Sequence, residues 1–191
     1  DMPFTKKATW AITQGPLGPA LIEEIPEIEQ VTRTNYGGWS IKYESEEMYS
    51  YGLYVDPSFL DIFSYELISG NKETVLTNPY SVILTQTQAL KIFGEKDPLG
   101  KIITVYDQYE VAVTGILKDP PGNSHLKFDW IGTMEFAKEV GYTVDYWKNS
   151  TFYTYILLPE EAYFNLIEEK ISGILDDKPT LEEGAKLRLQ P

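Results

Sequence analysis

The chain has 191 residues, with 16 Lys plus Arg against 29 Asp plus Glu, a formal net charge of −13, 42% hydrophobic and 14% aromatic residues, and no cysteine. So much apolar material argues against disorder, and so acidic a balance argues against a nucleic-acid or anionic-membrane surface. The lack of cysteine removes disulfides, thiolate metal sites and cysteine nucleophiles together.

Taken in chain order, the first unit is Gly15-Pro16-Leu17-Gly18-Pro19-Ala20 running into Leu21-Ile22-Glu23-Glu24-Ile25-Pro26. Pro16 or Pro19 opens a short helix and Pro26 closes it, because proline suits a first turn and not a helix interior. Leu17, Leu21, Ile22 and Ile25, spaced by fours and threes, predict one buried face. Three β-rich stretches follow at residues 31–36, 39–43 and 48–55, with Glu44 to Glu47 as a charged turn. Trp39, Ile41 and Tyr43 alternate, as do Tyr49, Tyr51 and Leu53, the period of half-buried strands. Trp39, Tyr43, Tyr49 and Tyr51 therefore read as core or cross-strand pairs, with a partner surface as the alternative.

The middle of the chain predicts a short helix over 58–63, a buried strand over 81–84 and a helix over 85–93 capped by Gly94. A hairpin is expected from 101–106 and 109–117 around Asp107-Gln108. Pro120-Pro121-Gly122-Asn123 is a loop, followed by a strand over 126–131 and a helix over 135–140. In the last third a strand over 152–158 ends at Pro159. A helix over 160–175 follows, with Glu160 and Glu161 in its first turn and Tyr163, Ile167, Ile171 and Ile174 as its inward stripe. Phe164 and Leu175 lie beside that stripe, and a final strand is expected over 186–189, with Leu187 and Leu189 to one side. The pattern is α+β. Residues 1–56 and 148–191 are expected to form one lobe from both ends of the chain, with 57–147 inserted as a second lobe.

Chemistry is sparse. His125 is the single histidine and reads as a loop residue with local hydrogen bonds, since zinc and iron sites usually need several His or Cys ligands. No Gly-x-Ser-x-Gly elbow and no Asp-rich calcium loop is present. Gly94-Glu95-Lys96-Asp97-Pro98-Leu99-Gly100-Lys101 only approximates a phosphate loop. Five residues separate its glycines, Pro98 lacks an amide hydrogen, and Ile102 stands where a hydroxyl is needed. Asn149-Ser150-Thr151 fits a glycosylation pattern that is common by chance. No run approaches the roughly 18 apolar residues of a membrane helix, and no signal peptide is visible. The chain opens on Asp1 rather than Met, which suggests a segment of something longer.

A more specific signal is an ordered series. Tyr54-Val55-Asp56-Pro57-Ser58-Phe59-Leu60-Asp61-Ile62-Phe63 precedes Leu67-Ile68-Ser69-Gly70, Ser81-Val82-Ile83-Leu84-Thr85 and Ala89-Leu90-Lys91-Ile92-Phe93-Gly94. Asp97-Pro98-Leu99-Gly100-Lys101, Val113-Thr114-Gly115-Ile116-Leu117-Lys118-Asp119 and Asn123-Ser124-His125-Leu126 follow in turn. The series resembles the MacB-like periplasmic core domain of ABC-transporter permeases, the FtsX-related group. The resemblance implies a porter-like lobe and an inserted lobe of the Sabre type. It also implies a parent protein with one membrane helix before the domain and three after it, at the extracytoplasmic face of the bacterial inner membrane, the domain itself being soluble. A fused or separate cytoplasmic ATPase, a second permease subunit and a periplasmic or outer-membrane protein are the implied partners. No catalytic, metal or cofactor residue is implied. The expected role is to relay ATP-driven movement of membrane helices to substrate export or to an envelope partner, by rotating or squeezing the lobes. A free-standing secreted binding module, a secreted hydrolase with a convergent acidic pair, and an extracytoplasmic sensor domain are the competing readings.

Overall fold

Two long strands from the first third organise the structure. The computed structural model describes residues 9–160, 164–180 and 186–190. After β1 (Thr13–Gln14) and helix α1 (Leu17–Glu24), β2 (Gln30–Tyr43) and β3 (Glu46–Val55) pair antiparallel over ten residues through a tight turn at Glu44-Ser45. Residues 31–36 and 39–43 are thus one strand. It passes unbroken through Gly37 and Gly38, where a Cβ would strike the rings of Tyr54 and Tyr49. Leu17 and Leu21 of α1 and its C-cap residue Ile25 are buried as expected, but Ile22 is exposed. It sits about 100° around the helix from Leu21, outside the narrow stripe that an eight-residue helix buries.

The middle third supplies α2 (Phe59–Ile62), β4 (Leu67–Ser69), β5 (Ser81–Thr85), α3 (Gln86–Phe93), β6 (Ile102–Val105), β7 (Tyr109–Leu117), β8 (Trp130–Thr133) and α4 (Met134–Glu139). Thr85 caps α3 by accepting from the Gln88 amide at 3.2 Å, a contact worth about 1 kcal/mol. Gly94 ends the same helix at φ 59, where L side chains are strained. The β6–β7 turn falls a residue early, with Tyr106 and Asp107 both left-handed and the Gln108 amide bonded to the Val105 carbonyl. That is the twist a tight hairpin prefers. The strand expected over 126–131 is confined to β8. Leu126 and Phe128 are buried in an irregular segment instead.

β9 (Ser150–Leu157) and α5 (Phe164–Ser172) complete the described elements. Ile167, Ile171, Ile174 and Leu175 are buried and Phe164 is exposed. Glu161 and Tyr163 lie outside the described residues, and residues 186–190 carry no strand. Leu187 and Leu189 nevertheless pack beside the α1–α5 core.

The strands follow the order β1-β9-β2-β3-β8-β5-β7-β4, and β6 pairs with both β7 and β2. That double pairing closes β2, β3, β8, β5, β7 and β6 into a ring. Its interior holds Trp39, Ile41, Tyr54, Val82, Val113 and Trp130, with α3 and α4 adding Ile92, Phe93 and Phe136. A second cluster lies on the reverse side of β3, β5 and β8, under α2, around Leu53, Phe59, Leu76 and Ile131. A third joins α1 to α5 through Leu17, Leu21, Ile25, Ile167 and Ile171. The mixed α+β class is as expected. Separate lobes are not visible as separate sheets, since strands from 57–147 share hydrogen bonds with β2 and β3.

Candidate functional site

Residues opposite one another in an antiparallel pair share a face, and the β2–β3 register puts Tyr36, Gly38 and Ser40 on the same face as Leu53, Tyr51 and Tyr49. Leu53 is covered by the second cluster, while Tyr49 and Tyr51 are 61% and 66% exposed and Tyr36 is 43% exposed. The Tyr49 and Tyr51 rings meet edge to face at 5.1 Å. A Cβ on Gly38 would come within 2.1 Å of the Tyr49 hydroxyl, so the glycine lets that ring lie flat across β2. Tyr36 meets Tyr153 of β9 edge-on at 6.5 Å. Of the four aromatics singled out from the sequence, only Tyr49 and Tyr51 belong to this ledge. Trp39 is fully buried in the ring, stacked on Trp130 at 3.8 Å. Tyr43 is half-buried against Phe93. Tyr36 and Tyr153 were missed. Their signal was parity, because in an unbroken strand Tyr36 must face away from Trp39.

Beside Tyr51 the ledge drops into an open cleft of about 420 Å³, lined among others by Thr87, Asp119, Lys127, Phe128 and Asp129. Asp129 donates its amide to the Tyr51 carbonyl at 2.8 Å and accepts the Ser50 hydroxyl at 3.2 Å. Lys127 Nζ is turned toward the Pro121 and Gly122 carbonyls at 3.0 and 2.7 Å. Asp119 accepts from the Thr87 amide at 3.0 Å and its hydroxyl at 2.7 Å, at the start of α3. Partial burial pushes the Asp119 pKa up, but the Thr87 hydroxyl and amide, the Thr85 side chain and the Lys91 charge together outweigh it and hold the carboxyl below its ordinary value. A depressed folded-state pKa gives stability that is present above the ordinary carboxylate range and lost as pH falls through the folded value. Asp119→Asn is accordingly expected to flatten the acid limb of the stability curve, read from urea midpoints between neutral pH and pH 3. An unchanged acid limb would remove Asp119 as its source.

His125 reaches further than the sequence suggested. Its Nε2 lies 3.2 Å from the Tyr155 hydroxyl on β9, and its carbonyl is 3.5 Å from the Tyr36 hydroxyl. Tyr155, also against Phe63, has its pKa pushed up to about 12, by burial first and by neighbouring tyrosines second. Its hydroxyl therefore stays protonated at neutral pH. Among the described residues no group of three His, Asp or Glu side chains is placed to hold a metal. No helix among them is long and apolar enough to cross a membrane.

A closed strand ring, a core that joins the first described helix to the last, and an open tyrosine ledge define an α+β domain whose exposed features suit contact with another molecule. The chain belongs to the MacB-like periplasmic core domain family, whose model matches residues 3–174. It is a periplasmic domain of MacB-like, FtsX-related ABC-transporter permeases, a family that works with an ATPase and is not itself one of enzymes. Among similar solved structures is a domain described as that of a permease protein from Porphyromonas gingivalis. It is 24% identical, with 89% of this chain and 73% of that one covered and a TM-score of 0.76. The periplasmic region of MacB from Actinobacillus actinomycetemcomitans is 14% identical over 86% of this chain and 73% of that one, with a TM-score of 0.66. The extracellular domain of the noncanonic ABC-type transporter YknZ from Gram-positive bacteria is 17% identical over 88% and 86%, with a TM-score of 0.65. No curated protein matches the chain.

Proposed function

We propose that the domain relays ATP-driven movement of membrane helices, delivered through a cytoplasmic ATPase and a paired permease subunit, to substrate export or to an envelope protein. The observation that carries this reading is the joining of the first and last described helices. α1 and α5 share one apolar cluster, β1 pairs with β9, and Lys170 and Lys178 bridge to Glu27 and Glu24. A shift imposed on that layer passes along β2, which runs from its pairing with β9 into the closed ring. Packed interiors resist compression, so the displacement is transmitted and not absorbed. Residues 1–56 with 148–191 act as a porter-like lobe and 57–147 as an inserted Sabre-like lobe, moving together through their common sheet.

The relay is tested in the full-length permease by a flexible Gly-Ser insertion after Pro159, between β9 and α5. ATP hydrolysis should persist while transport or partner activation per ATP falls about tenfold, the ratio expected when a coupling of roughly 1–3 kcal/mol is lost. Undiminished coupling would overturn it. The gene's own flanks separate the competing readings. Apolar spans on both sides fit a permease, whereas none, or a kinase output, fits a secreted binding module or a sensor.

A further inference from the structure

The tyrosine ledge and its cleft are an unpartnered sheet face with a defined chemistry. Tyr36, Tyr49 and Tyr51 present large, rigid, half-apolar surfaces, the residue type that dominates binding hot spots. The cleft beside them is lined by two carboxylates, Asp119 and Asp129, and one cation, Lys127, whose ammonium is held by two carbonyls. Lys91 of α3 acts on Asp119 and leaves Asp129 as the carboxylate without a cation among the described residues. Asp129 spends one oxygen on Ser50 and has no other side-chain hydrogen bond among the described residues. Glu47, on the Tyr49 and Tyr51 side of β3, sits opposite Lys42, itself 4.0 Å from Asp107, so the far rim adds no excess positive charge.

The net charge of −13 bears on which occupant fits. Nucleic acid and anionic lipid are repelled, and a second copy of this chain brings the same charge to the contact. Carboxylates beside an exposed phenol ring suit a cation with a flat face. Guanidinium stacks on aromatic rings and pairs bidentately with carboxylate, which ammonium does not.

We propose that this face docks an arginine-bearing basic segment of another envelope protein, with the guanidinium over Tyr51 and paired to Asp129 beside Asp119. This rests on the reading that the domain meets an envelope partner. The test uses the isolated chain, so its failure removes the docking surface and leaves the relay to be judged in the whole permease.

The probe is an acetylated, amidated Gly-Arg-Arg-Gly peptide titrated into the isotopically labelled chain and followed by amide chemical shifts, with the citrulline counterpart as its neutral isostere. Shifts are expected to concentrate at residues 49–51, 85–87, 119 and 127–129. The citrulline peptide should bind about tenfold more weakly, and Tyr51→Ala or Asp129→Asn should each weaken the arginine peptide about fivefold, as for loss of a paired charge or an aromatic anchor. Tyr51 is exposed, so its variant should fold, and an unchanged spectrum elsewhere checks this. Equal binding of the citrulline peptide, or shifts scattered over the acidic surface, would overturn the proposal. So would sedimentation of the chain as a dimer that Tyr51→Ala dissolves, which would make the occupant a second copy.

Discussion

Asp56→Ala is expected to lower the unfolding free energy by about 3–5 kcal/mol, the cost of leaving a buried charge without its partner. Arg33 is buried on β2, and its amide and Nε both donate to Asp56 Oδ2, at 2.7 and 2.9 Å, while NH2 reaches Oδ1 at 2.7 Å. The remaining nitrogen, NH1, donates to the Gly15 carbonyl at 2.7 Å, and the stem of Arg33 fills the space a Cβ on Gly18 would take. One arginine thus fastens the end of β3, the start of α1 and the first residues of β2. Removing the carboxylate leaves it largely buried without its counter-charge, the Arg33 side chain being 8% exposed and that of Asp56 19%. The paired replacement Arg33→Met with Asp56→Leu should recover most of the loss, because substituting both charges is far milder than orphaning one. Urea unfolding reads both variants. A loss below about 1 kcal/mol for Asp56→Ala would mean that the pair behaves as a surface ion pair.

How much of this was legible beforehand depended on how local each determinant is. Pro16, Pro26 and the fourfold spacing of Leu17, Leu21 and Ile25 located α1, because breakers and periodicity act within a few residues. Thr85 and Gly94 bounded α3 for the same reason. Leu126 and Phe128 misled: their alternation reported burial correctly, but a strand also needs a neighbour, and β3 pairs with the chain only from Trp130 onward. Ring closure was invisible because it rests on Ile41 and Lys42 meeting Val105 and Thr104, a pairing some sixty residues apart with no local signature. The same gap explains the ledge. Without knowing that β2 runs through Gly37-Gly38, Tyr36 could not be assigned a face, and Trp39 looked as available to a partner as Tyr49. The family resemblance was readable since it lies in the order of turns and caps. The cleft was not, because Tyr51, Asp119 and Asp129 come from three separated segments.

Trp130→Ala is expected to cost about 3–5 kcal/mol, the usual range for emptying a large aromatic from a closed core. Trp130 is fully buried, its indole stacked on Trp39 with 15° between the planes, and its Nε1 donates to the Ser50 carbonyl at 3.2 Å. Trp39 in turn donates to the Tyr54 hydroxyl at 2.6 Å and meets Phe136 edge-on at 5.4 Å. Burial drives the Tyr54 pKa far up, which keeps that hydroxyl neutral and able to accept the indole. Gly52 is the complement of this stack, since a Cβ there would lie 2.2 Å from Trp130 Cδ2. Trp130→Phe should be milder than Trp130→Ala, losing the hydrogen bond and part of the stack while filling much of the space. The decisive readout is cooperativity. Trp39 and Trp130 come from the two regions proposed as porter-like and inserted lobes, and if they move as one body through the ring, Trp130→Ala must shift a single unfolding transition seen alike by tryptophan fluorescence and far-ultraviolet circular dichroism. Two transitions, only one of them moved by the substitution, would show lobes that unfold separately, and a displacement arriving through α1 and α5 could then stop at their seam.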